Sequence, residues 1–165
     1  MPTPCNMLIT GAQGPDQFKG GSEKEDRPGT IDVFEIEHHV HQPIDPTTGQ
    51  ATGVRVHNPL RVVAAIDPAN PPLLKALCTG EKINTIELKF CHIDPVSRAE
   101  IDYYKITLTD ARVVDCSPYM PMSFLPQNEA YRHMCQYSFV YEQIEWNFYE
   151  GGKVEMDKWR APAGG

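Results

Sequence analysis

The sequence has no apolar run near the roughly 18 residues that a membrane-crossing helix needs. Its opening, Met1-Pro2-Thr3-Pro4-Cys5-Asn6, shows neither a basic n-region nor an apolar h-region. The expected product is therefore made in the cytoplasm, and export would use a route without a cleaved signal. Positive charge is scarce as well: 15 Lys and Arg against 22 Asp and Glu leave a formal charge of −7. Phosphate backbones and anionic bilayers both call for clustered cations, so no nucleic acid and no membrane surface is expected as a partner. Cys5, Cys78, Cys91, Cys116 and Cys135 are odd in number and form no C-x-x-C pair. They read as reduced, small apolar residues and not as a disulfide framework. No G-x-S-x-G elbow, P-loop or dinucleotide fingerprint is present. The chain is thus expected to be no enzyme and to hold no cofactor.

What the sequence does contain is a globular composition, with 41% aliphatic and aromatic residues in 165. One domain spanning 1–165 of that size buries roughly 70% of its unfolded surface, enough for a real core. Strand patterns dominate. Cys5 to Thr10 alternates, and Ile31 to His41 slips phase between Ile31/Val33 and Phe34/Ile36, which predicts a β-bulge. Val54 to Asp67 returns with Leu60, Val62 and Ala64 on one face. Ile86 to Cys91, Ile101 to Leu108 and Ala111 to Cys116 follow, with a turn expected at Thr109-Asp110. Arg132 to Glu150 shifts from Cys135, Tyr137, Phe139 and Tyr141 to Ile144, Trp146 and Phe148, the mark of a strand bending between sheets. The one convincing helix covers about 70–79, with Asn70 as cap, Pro71 and Pro72 in its first turn and Gly80 ending it. Ser22 to Arg27 reads as a solvated charge run, and 151–165 as a partly loose tail. The sum is a mainly β fold: seven or eight strands in a two-sheet barrel or sandwich with one short flanking helix.

Between two of those strands stands an extended loop, 42–53. It is longer than the roughly 2–5 residues of an ordinary hairpin connection. Pro43 and Pro46 stiffen it, Asp45 before Pro46 favours a turn or extended conformation, Thr47, Thr48 and Thr52 can bond to nearby backbone, and Gly49 and Gly53 permit positive φ. Gln42 opens it and Arg55 follows it on the returning strand. A stiff arm standing off a sheet is built to touch another molecule.

His38, His39 and His41 precede the arm, and on a strand His39 and His41 share a face. A metal site there needs a further ligand such as His57, and a hydrolase using His39, His41 and His57 is one alternative. Glu35/Glu37 and Glu142/Glu145 are more simply outward-facing strand charges than acid–base pairs. A monomeric barrel binding a small ligand is the other alternative. Phe90, Tyr137, Phe139, Trp146 and Phe148 weigh against it by favouring a packed interior.

The run His41-Gln42-Pro43-Ile44-Asp45-Pro46-Thr47-Thr48-Gly49-Gln50 with Gly53-Val54-Arg55-Val56-His57 closely resembles the Hcp family, the tube proteins of bacterial type VI secretion. Met1 to Cys5, Leu73 to Glu81, Ile86 to Phe90 and Tyr141 to Trp146 resemble it too, in order along nearly the whole chain. The resemblance implies a β-barrel assembled as a homohexameric ring. Rings stack into a tube that a contractile sheath expels beneath a VgrG-type spike, and effector proteins ride in the lumen as cargo. It also implies secretion to the extracellular space or a target cell, and an arm that reaches toward the adjacent ring. Gly14 to Thr30, Cys91 to Asp94 and Ser117 to Glu129 depart from the family pattern.

Overall fold

The computed structural model describes residues 5–160; the Met1–Pro4 segment of the family match and the last five residues of the expected tail lie outside them. Ten strands and one α-helix follow in order: β1 (Cys5–Gly11), β2 (Ile31–Glu37), β3 (Val40–His41), β4 (Val56–His57), β5 (Leu60–Ala65), α1 (Asn70–Thr79), β6 (Ile83–Ile93), β7 (Glu100–Tyr119), β8 (Met134–Val140), β9 (Gln143–Phe148) and β10 (Lys153–Lys158). The main sheet runs β10-β9-β7-β6-β1-β2-β5-β8, and β8 pairs again with β7. Strands β7, β6, β1, β2, β5 and β8 therefore close a six-stranded barrel, with β9 and β10 as an extension from one half of β7.

Closure depends on β7. A turn is expected at Thr109-Asp110, whereas the chain runs through it as one 20-residue strand. Asp110 takes φ 53, and its carboxylate accepts from Lys82 Nζ at 3.0 Å. That single left-handed residue bends the strand without reversing it. Below the bend β7 pairs with β9, from Tyr104↔Phe148 to Thr109↔Gln143; above it, Arg112 to Tyr119 pairs with β8. The phase shift expected in 132–150 is the same corner seen from the other side. β8 and β9 are separate strands broken at Tyr141-Glu142, where the Glu142 amide donates to Thr109 O at 3.1 Å. The expected bulge in β2 is present between Val33 and Glu35.

Alternating residues fill the barrel: Met7 and Ile9, Leu60, Val62 and Ala64, Ile86 and Leu88, Leu108, Cys135, Tyr137 and Phe139, all buried. α1 covers one side with Leu73 and Ala76, while Cys78, expected on its inner stripe, is exposed. Gly80 ends the helix at φ 68 as expected, but Asn70 does not cap it. The N-cap is Ala69, whose amide bonds to Asp67 Oδ1 at 3.0 Å. Asn70 instead turns inward, and its amide donates to the buried Tyr137 hydroxyl at 2.7 Å. A buried hydroxyl without a partner is unfavourable, and that demand outweighs the cap.

Two further expectations are corrected. Arg27 does not lie on a solvated face; it bonds to Asn6, Cys91 and Asp102 beneath the surface. The tail stretch 151–165 contains β10, paired residue for residue with β9 from Lys153↔Phe148 to Lys158↔Gln143. Val154 and Met156 on β10 are both exposed, so the strand carries no half-buried alternation by which a sequence reading could find it.

Candidate functional site: the arm and its foot

The arm leaves the barrel on a ribbon of its own. β3 and β4 pair only with each other, Val40↔His57 and His41↔Val56, outside the main sheet. Beyond that ribbon the arm is held by its own backbone. Ile44 and Ala51 bridge, Asp45 N donates to Gln50 O at 2.8 Å, and Thr52 N donates to Pro43 O at 3.0 Å. Gly49 N closes the tip onto Asp45 O at 2.7 Å with φ 71, a conformation that favours glycine. Asp45 Oδ1 accepts from the Thr47 amide at 2.7 Å and the Thr48 amide at 3.4 Å, and Gln42 Nε2 clasps Gly53 O at 2.6 Å. Gly53, which permits positive φ, does not adopt it, and a Cβ there would meet nothing within 4 Å. Gln42, Pro46, Thr48, Gly49 and Gly53 are exposed, and Pro43 and Asp45 partly so. Ile44 and Val54 stand 57% and 64% exposed, so the arm presents apolar side chains largely open to solvent.

Arg55 sits apart from the tip, at the foot. Its guanidinium grips both oxygens of Asp157 on β10, and Nη2 also donates to Lys158 O at 3.0 Å. The same carboxylate meets His57 Nε2 at 2.8 Å. His57 Nδ1 lies 2.7 Å from the Tyr141 hydroxyl, which also contacts His38 Nε2 at 2.8 Å. Trp159 closes over this group, its ring 5.8 Å from His57 and 5.0 Å from Tyr141. A continuous polar chain, Arg55–Asp157–His57–Tyr141–His38, thus ties both ends of the arm to the barrel corner and to the last strand. Burial pushes the Tyr141 hydroxyl well above the usual tyrosine range, so it stays protonated and can donate to one imidazole. Burial and the neighbouring His57 hold His38 below the usual histidine range, which keeps it a neutral partner.

The histidines do not gather for a metal. His39 and His41 stack on each other at 4.9 Å, and His39 Nδ1 lies 3.2 Å from Asn58 Nδ2. His57 is turned to Tyr141 and Asp157. Among the described residues no group of three His, Cys, Asp or Glu side chains could hold a metal ion. The barrel interior is filled by Tyr137, Phe139, Phe18 and Met7, each at most 1% exposed. A cavity of about 590 Å³ opens instead at the surface beside the foot, lined by Arg112, Tyr141, Lys158, Trp159 and Arg160 among others.

The foot escaped sequence reasoning because its members lie far apart in the chain and Asp157 stands in a stretch read as tail. Its strength is measurable. The bonds from Arg55, and secondarily from His57, hold the Asp157 carboxyl down to about 2 from the ordinary 3.8. A depressed carboxylate contributes stability above its unfolded-state value and loses it as pH falls through the folded one. The clasp should therefore persist down to about pH 4 and release on the way to 2. A carboxyl-carbon NMR titration is expected to give Asp157 a midpoint near 2, and Arg55→Gln should move it back toward 3.8. An unmoved midpoint would remove Arg55 from the clasp.

Comparison with known proteins agrees with this architecture. The family model described as "Type VI secretion system effector, Hcp" matches residues 7–148. The major exported protein of Pseudomonas aeruginosa is 34% identical over 173 residues, across the full length of both chains. The solved structure of the Hcp1 protein from E. coli EAEC 042 is 30% identical, with a TM-score of 0.84 over 95% of this chain and 99% of that one. The secreted protein Hcp3 of Pseudomonas aeruginosa is 27% identical, with a TM-score of 0.76 over 97% of this chain and all of the other. With closed barrel, flanking helix and full-length similarity in agreement, the chain belongs to the Hcp family, the exported, non-enzymatic tube proteins of type VI secretion.

Proposed function

We propose that six copies of this chain close into a ring, that rings stack into the inner tube of the secretion machine, and that the arm makes the contact between rings. The observation that carries this is the arm itself. It is ordered by internal bonds, anchored through Arg55 and Asp157, and flanked by exposed Ile44 and Val54. An element so braced presents a fixed surface, and exposed apolar side chains on a fixed surface gain free energy when a partner covers them. Gln42, Pro43, Asp45, Pro46, Thr48, Gly49 and Gly53 shape that surface, and Arg55 aims it. The tube then carries effector proteins in its lumen, meets a VgrG-type spike at its tip and is driven by a surrounding contractile sheath. The barrel interior is filled by buried side chains such as Tyr137, Phe139 and Met7, which supports the assembly reading over a ligand-binding barrel.

The test is native mass together with negative-stain images of the same sample. Six-fold mass and rings with a central hole are expected. A chain that stays monomeric at the highest attainable concentration, alone and with a spike protein added, would overturn the ring.

A further inference from the structure

Two of the five cysteines lie in contact. Cys116 on β7 and Cys135 on β8 bring their sulfurs to 3.4 Å. The register places Cys135 opposite Pro118 and Cys116 opposite Tyr137, so the two are diagonal neighbours on one face of the sheet. Cys135 is wholly buried in the core, while Cys116 is half-buried and packs against it. The other three differ. Cys78 is exposed on α1, Cys5 is buried, and Cys91 is engaged by Arg27 and Glu100.

We propose that Cys116 and Cys135 are an oxidation site that closes to a cystine when the exported protein meets a small-molecule disulfide outside the reducing cytoplasm. A disulfide bond is about 2.05 Å long, so the sulfurs must approach by roughly 1.4 Å, a side-chain adjustment at a strand pair already in register. The half-exposed Cys116 is the entry point. Its thiolate attacks one sulfur of the oxidant RSSR, expels one RS⁻ and becomes a mixed disulfide. Cys135 then gives up its proton and attacks Cys116 Sγ, expelling the second RS⁻. The two cysteine sulfurs lose two electrons, the oxidant's S–S bond gains them, and the two protons end on two RSH molecules.

Burial, and then the bond to Cys135, pushes the Cys116 thiol well above its usual range. Asp115 of the same strand, Cys135 and Tyr137 of β8 and Cys78 of α1 are the groups that bear on it. The reaction is therefore slow at neutral pH and accelerates as pH rises, because only the thiolate attacks. That reluctance suits a pair that stays reduced during synthesis and assembly.

The bond would join positions 19 apart in sequence and pin the root of the loop that follows Tyr119, where Met120, Met122, Phe124 and Tyr131 are exposed. A closed loop of that size should raise Tm by roughly 5–10 °C, reversibly with dithiothreitol. The inference stands on sulfur geometry and holds whether or not rings form, so its test uses the purified chain and reads no assembly.

The chain is incubated with oxidised glutathione at pH 8.5 to an end point and denatured, and its thiols are counted. The exposed Cys78 is expected to carry a glutathione; of the other four cysteines of the sequence, Cys5 and Cys91 should remain as thiols, with one peptide cross-link between Cys116 and Cys135 that removes two hydrogens. Cys116→Ser, at the half-buried partner where misfolding is least expected, should lose no thiol to an internal link. Thiols remaining on both Cys116 and Cys135 in a folded chain, a glutathione adduct that persists on Cys116, or a link made instead by Cys78 would each overturn the proposal.

Discussion

Deleting Thr47 through Gly53 is expected to leave a folded barrel that still closes into rings but no longer forms tubes. Every backbone bond these residues make is to the arm itself, at Asp45, Pro43 and within the tip. None of their side chains belongs to the barrel core. The ribbon Val40↔His57 and His41↔Val56 remains, and so does the foot through Arg55, His57 and Asp157. A shorter connection between the same strands carries a slightly smaller loop-closure entropy, so stability should change by less than about 1 kcal/mol. What disappears is the tip that holds Ile44 in place opposite Ala51. Sedimentation would read the ring and electron microscopy the tube. Tubes of normal length from the deleted chain would end the arm's role in stacking. Loss of the ring along with the tube would instead move the arm into the subunit interface.

The same region shows how far the sequence could be read. Within the arm much was local and therefore legible: prolines set φ, Asp45 before Pro46 marks a turn, and Gly49 takes the one left-handed position, whereas the Asp45 carboxylate folding back on the Thr47 amide was not named. The alternations of β5, β6 and β8 likewise named their own core residues. The foot was not legible, because periodicity reports which face a residue occupies and not what stands across from it. His57 and Asp157 are 100 positions apart, and Tyr141 and His38 are 103 apart. Asp110 misled for the opposite reason. Its local chemistry does favour a left-handed residue, but pairing with β6, β8 and β9 on either side converts the expected reversal into a bend. Asn70 shows a third case, in which a good local cap is given up to satisfy a buried hydroxyl from a strand far along the chain.

Arg27→Met is expected to lower stability by about 2–4 kcal/mol without altering the arm. Methionine nearly preserves the packed volume, so the loss isolates the polar role. Arg27 is only 9% exposed, and its Nη1 donates to Asn6 Oδ1 at 2.7 Å and to Cys91 Sγ at 3.2 Å. Its Nη2 donates to Asp102 Oδ1 at 2.7 Å and lies 3.8 Å from Glu100. Without it, Asn6, 2% exposed, keeps its own donations to Asp32 and Thr30, but its carbonyl oxygen loses the guanidinium. An unsatisfied buried acceptor is worth roughly 1–3 kcal/mol. Asp102 and Glu100 also lose their cation, but each is 29% exposed, so water screens most of that loss and about 1 kcal/mol is a fair share. Lys24, 3.1 Å from Glu100, softens it further. The pairing also makes a compensating change informative. Removing the carboxylate as well, in Arg27→Met with Asp102→Leu, should recover part of the loss, because an apolar pair replaces a stranded charge. Urea denaturation of the single and double variants reads both numbers. A single-variant loss below about 0.5 kcal/mol would mean that the guanidinium behaves as an ordinary surface charge, as the charge run Ser22 to Arg27 first suggested. A double variant worse than the single would mean that Asp102 contributes to the barrel wall independently of Arg27.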